Sequence, residues 1–217
     1  FVAVFTVLFI IFAGCGGNDS ATAPASPAAT PTPHTSEFQS GTMDTHIING
    51  TDANKNYGGC ADVEASAYND GKIVRALFKF DLGCATIPAG STINSAHIIF
   101  HASLVSGSPL FNPRKGRADW AEGDGNCSGF GDTLNGATWN HSETAGPTAW
   151  ATPGTDISAI AGPTKSVSTA GEFTVSLYAS TVQEWLDTPA SNYGIVLKMQ
   201  DEAPSVSNRL YIRSSEY

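Results

Sequence analysis

The chain has 217 residues, a formal net charge of -9, and only 14% charged residues beside 22 glycines. That length accommodates one all-β domain with accessory segments, and 11 basic against 20 acidic residues would repel a phosphate backbone, which argues against nucleic-acid binding. Sparse charge with abundant Ser, Thr, Gly and Asn is unlike the Glu- and Lys-rich make-up of helical bundles and points to a β-rich extracellular protein.

Residues Phe1 to Ala13 are uncharged and nearly all apolar. As a helix they would span about 20 Å, short of the roughly 30 Å of a bilayer core, so the segment reads as the hydrophobic region of a signal peptide. It runs into Phe12-Ala13-Gly14-Cys15, which resembles the lipobox of lipoproteins and makes Cys15 the expected lipid-attachment site and first mature residue. The plainer alternative is a secretory peptide with an incidental cysteine. No initiating Met or basic segment precedes the apolar run, so the sequence is expected to begin inside its gene.

Residues 16–42 carry Pro24, Pro27, Pro31 and Pro33 among Ala, Thr and Ser, with no strand or helix period. Such a composition buries too little apolar surface to offset its ordering entropy and predicts a disordered tether. Residues 43–217 form the body. Val74, Ala76, Phe78, Phe80 and Leu82 alternate with Arg75, Lys79 and Asp81, a period of two that places one face in a core. Asp70-Gly71 is a hairpin signal, so Ala61 to Tyr68 is the expected antiparallel partner. The alternation recurs around Phe100, Val175, Leu197 and Leu210, and the expected fold is an all-β, jelly-roll-like antiparallel β-sandwich. One short helix is expected where Ser180 and Gln183 have capping-box spacing ahead of Val182, Trp185 and Leu186.

Residues 107–171 are rich in Gly, Asn, Asp, Pro and Trp without a period, a long insertion that is either functional or pinned by its aromatics. Trp120, Trp139 and Trp150 lie within it, and the balance favours pinning over exposed faces that stack on sugars. Tyr57 either stacks on a ligand or covers the end of the sandwich. Cys60 opens one hairpin strand and Cys84 follows the other, so a Cys60–Cys84 disulfide is expected, with Cys127 unpaired.

Catalytic patterns are weak. His97 and His101 share the polar side of a strand with Ser103 but lack a third ligand, and Ser128 sits one place too late in Gly125-Asn126-Cys127-Ser128-Gly129 for a nucleophile elbow. No catalytic residue is assigned. Glu122, Asp124 and Asp132 lie in an oxygen-rich, glycine-flexed loop suited to a structural Ca2+, against the plainer reading of a solvated loop. Arg114, Lys115 and Arg117 form a basic cluster beside Trp120, and cation plus flat ring suits an acidic sugar, although a solvated basic turn has the same composition.

Several motifs occur in a fixed order: Asp44-Thr45, Asn56-Tyr57-Gly58, the run Arg75 to Leu82, Ile87 to Ala96, Trp120-Ala121-Glu122-Gly123, Gly136 to Trp139, Ala149 to Gly154, Asn192-Tyr193-Gly194 and Ser207 to Glu216. In this order they resemble the DNRLRE domain, a disaggregatase-related family overlapping carbohydrate-binding module family 96. Ser207 stands where the family has Asp. The resemblance covers residues 44 to 217 and implies a secreted or surface-borne sandwich, often beside polysaccharide-degrading domains. It also implies one further strand beyond Tyr217, so a truncated C-terminal edge is expected.

Together these features predict a surface-anchored lipoprotein whose sandwich binds extracellular or cell-wall polysaccharide without chemistry. Its membrane contact is expected through the lipid alone. The acidic polysaccharides implied by the resemblance would need Ca2+ or the basic cluster to offset the acidic net charge. A structural or adhesive surface domain is the first alternative, and a polysaccharide lyase or hydrolase the second.

Overall fold

The computed structural model describes residues 4–10, 33–38, 42–84, 87, 90–127, 135–143, 148–155 and 157–216. Every strand pairing among them is antiparallel. One layer sets β3 (Thr42–Ile48), β5 (Ile73–Phe80), β13 (Ile195–Met199) and β7 (Leu110–Gly116) side by side, with β10 (Ile157–Ile160) and β11 (Lys165–Ser166) on the far edge of β7. The other layer contains β4 (Asp62–Ala67), β14 (Asn208–Arg213), β6 (Thr92–Ser106) and β12 (Gly171–Leu177). β4 joins the two, pairing with β5 at the hairpin and with β14 along its length, so a single sheet wraps round into a sandwich.

The hairpin lies where Asp70-Gly71 predicts it: Tyr68 N–H donates to Lys72 C=O at 2.8 Å, and Gly71 takes φ +90°, a backbone state that costs other residues strain. The expected register also holds. Phe78, Phe80, Phe100, Val175 and Leu197 are all between 0% and 1% exposed. Phe78 and Phe100 meet across the layers with ring centroids 4.6 Å apart, a tilted pair worth about 0.5–1.5 kcal/mol beyond its buried area.

Helix α1 (Ala179–Asp187) closes one end of the sandwich with Val182 and Trp185 buried. Its cap differs from the expected box. Tyr178 is the N-cap, with no side-chain capping bond, and Gln183 instead accepts from Ile93 N–H at 2.8 Å and donates to Ser91 C=O at 3.2 Å. Holding the start of β6 to the helix satisfies a strand-end donor as well as a local box would have satisfied a helix-end one.

Two sequence expectations are corrected. Cys60 pairs with Cys127, Cα atoms 5.2 Å apart, rather than with Cys84. Hairpin proximity suggested the shorter bridge, but the insertion folds back over the Asn56–Cys60 turn and delivers Cys127 there. Gly59 N–H donates to Gly125 C=O at 2.9 Å beside the bridge. The tether expected over residues 16–42 is not irregular throughout, because Pro33–Phe38 forms strand β2 against β1 (Val4–Ile10), which in turn pairs with β6, and β3 already begins at Thr42. Cys15 and the rest of that tether lie outside the described residues.

Candidate functional site

The layer β3–β5–β13–β7 carries buried apolar side chains on both faces. Ala76, Phe78, Phe80, Ile195 and Leu197 point into the sandwich, whereas Ile47, Leu77 and Val196 point out and are covered by Trp120, Ala137 and Trp150 from the insertion. A short hairpin, β8 (His141–Glu143) with β9 (Thr148–Ala149), lies in the same cover. Trp120 is 5% and Trp150 6% exposed, their indole N–H groups donating to Tyr193 C=O at 3.0 Å and Thr138 C=O at 2.8 Å. The tryptophans are anchors, and Trp120 offers no face to a sugar. Tyr57 is likewise buried, stacked on His46 with centroids 4.6 Å apart.

Asn56 roots the insertion. Its amide donates to Glu122 C=O at 2.7 Å and Ala137 C=O at 3.0 Å while accepting from the N–H groups of Gly58 at 3.2 Å and Gly125 at 2.9 Å. Asn192 of the second Asn-Tyr-Gly repeats the device, donating to Phe80 C=O at 2.7 Å and accepting from Gly194 N–H at 3.1 Å. Sequence reasoning passed over both asparagines, although the repeated tripeptide was the visible signal.

Where the insertion meets the outward face, Arg75, Arg117, Thr152, Pro153, Thr155 and Ile157 line a cleft of about 580 Å³. Arg75 is locked: it forks onto Glu202 at 2.7 and 2.8 Å, donates to Gly154 C=O at 2.6 Å, and lies 4.8 Å over the Trp139 ring. Burial would raise the Glu202 pKa, but hydrogen bonds from Arg75 and Lys198 outweigh it and hold the carboxylate below its ordinary range. Thr155 has φ +87°, the one non-glycine residue with positive φ among those described, and its buried hydroxyl has no hydrogen-bond partner there. A β-branched residue held so costs about 1–3 kcal/mol, a strain that concentrates at functional sites. Arg117 is exposed and forms no ion pair among the described residues.

The expected basic cluster divides. Arg114 registers with Val196, which registers with Leu77, placing it on the outward face with its Nε buried and unpartnered among the described residues. Lys115, one residue on, has the opposite direction and pairs with Glu184 of α1. A larger cleft of about 610 Å³ beside α1 contains Lys79, but that ammonium is paired with Asp119 at 2.7 Å.

Three carboxyl groups meet at the start of β3. One oxygen each from Asp44, Glu122 and Glu216 lie within 4.8 Å of one another. Asp44 is 1% exposed; its Oδ2 accepts from Ser215 N–H at 2.9 Å and its Oδ1 has no partner among the described residues. Glu122 Oε1 accepts from Asp44 N–H at 2.7 Å and Ser215 Oγ bonds Glu216 Oε1 at 3.0 Å. Burial, with the neighbouring acids adding to it, pushes Asp44 and Glu122 up to about 7. Of the expected calcium ligands, Glu122 belongs here, Asp124 is exposed and outside the group, and Asp132 lies outside the described residues. His97 and His101 are half-buried on β6, and no third metal-ligating side chain joins them among the described residues.

No family model matches the sequence, and neither a curated protein nor a solved structure matches it. No helix among the described residues is long and apolar enough to cross a membrane.

Proposed function

We propose that this chain is a non-catalytic binding module for extracellular or cell-wall polysaccharide of acidic type, carried at the cell surface on the lipid of Cys15, with β1 belonging to the form that precedes cleavage ahead of that cysteine. The observation that carries the reading is the outward-face cleft, where the exposed Arg117 shares the lining with a backbone-strained Thr155 and with Arg75, which Glu202 fixes in place. A uronate or sulfate group can pair with the Arg117 guanidinium. The ordered motifs that resemble the DNRLRE domain support the same class of ligand.

Native gels cast with alginate, chondroitin sulfate or neutral dextran test the proposal. The two acidic polymers should retard the protein, and retention should fall as salt is raised from about 50 to about 300 mM, because exposed charge pairs are screened. The same incubations should release no reducing ends. Equal mobility in all three gels would replace this reading with the structural or adhesive one.

A further inference from the structure

We propose that Asp44, Glu122 and Glu216 form a divalent-cation site of calcium type that clasps the insertion and the C-terminal segment to β3. The three residues come from distant parts of the chain: the start of strand β3, the insertion after β7, and the segment after β14. Their oxygens lie no more than 4.8 Å apart, and oxygen atoms on opposite sides of a calcium ion at 2.3–2.6 Å are about 5 Å apart.

The group is more than a collection of surface acids. Asp44 is 99% buried, counting from its 1% exposure, yet Oδ1 has no hydrogen-bond partner among the described residues. An unpaired buried acceptor is costly, and in a native protein it calls for an unseen partner. Each carboxyl is already oriented through one contact: Asp44 by Ser215 N–H, Glu122 by Asp44 N–H, and Glu216 by Ser215 Oγ. No Lys or Arg forms an ion pair with any of the three among the described residues. Acids gathered without a basic partner, on backbone held by hydrogen bonds, suit a cation that supplies the positive charge and accepts water in its remaining positions. Mg2+ suits the site less, since its small, rigid octahedron demands closer approach from three separate segments.

Thermal unfolding and calorimetry of the full chain after chelation, with CaCl2 or MgCl2 added back, decide the matter. Glu216→Gln lies at the surface and should fold regardless; Asp44→Asn is the nearly isosteric change at the buried ligand; Asp124→Asn is a control outside the group. Saturating Ca2+ should raise the midpoint of wild type and Asp124→Asn by roughly 5 °C, with one-site binding heat and a smaller effect of Mg2+. Glu216→Gln and Asp44→Asn should lose most of the shift and at least tenfold in affinity. No calcium shift in wild type, or an undiminished shift in both variants, would overturn the site. Because the readout is metal alone, its failure leaves the polysaccharide reading to its own test.

Discussion

Asn56 fills four hydrogen-bonding roles at once, each to a backbone group, and three of the four bonds are buried beneath the insertion. Asn56→Ala should therefore cost about 3 kcal/mol or more in urea unfolding, beyond the average point mutant, because each buried amide or carbonyl left unpaired costs about 1–3 kcal/mol. Asp44, Glu122 and His46 set the pH response. The two acids stand near pH 7 in the folded chain against ordinary values of 3.8 and 4.5, so the native state holds the extra protons between those limits and stability falls as pH rises through the window. His46 is lowered by burial to about 4 from 6.5, so the unfolded chain holds its proton over that range and its contribution is lost as pH falls below 6.5. Above pH 6.5 the two acids outweigh His46. In chelator the melting temperature should drop from about pH 6.5 to pH 8.5, and Asp44→Asn should drop less; an equal drop would show that Asp44 is not the group responsible.

At the level of elements, alternation made the sandwich legible. Phe78, Phe80 and Phe100 fall on one face of a period-two pattern, and Asp70-Gly71 marks the hairpin from local sequence alone. The insertion was legible only as something needing anchors, because which face Trp120 and Trp150 cover depends on Ile47, Leu77 and Val196, residues far apart in sequence that share the outward face. The same blindness produced the wrong disulfide: Cys127 reaches Cys60 through the fold-back of the insertion, not through strand pairing. Of the basic cluster, sequence spacing could gather Arg114, Lys115 and Arg117, but the pleat of β7 sends Lys115 to the opposite side. The acidic group was reached only through Glu122, since nothing local ties Asp44 to Glu216. Peptide mapping without reduction should recover Cys60 joined to Cys127. Trp150→Ala should destabilise by about 3–5 kcal/mol, removing an aromatic anchor and leaving Thr138 C=O unpaired; a loss below 1 kcal/mol would mean that the insertion does not depend on the second core.

For the whole molecule, a net charge of -9 coexists with a cationic corner, where Arg117 is exposed and the acid nearest to Arg75 is already consumed by it and by Lys198. The acidic surface discourages general adsorption to polyanions, so retention should depend on contact at this corner rather than on the overall field. The sandwich supplies a rigid wall, and the tryptophan-anchored insertion supplies the rim on which a sugar acid would be held. The most direct measurement is affinity electrophoresis of wild type and Arg117→Ala in alginate and chondroitin sulfate gels, with melting temperatures taken in parallel. Arg117→Ala should lose about two- to fivefold in retention, as expected for an exposed ion pair worth about 0.5–1 kcal/mol, while its melting temperature stays within about 1 °C of wild type. Retention unchanged in Arg117→Ala would contradict the assignment of the cleft.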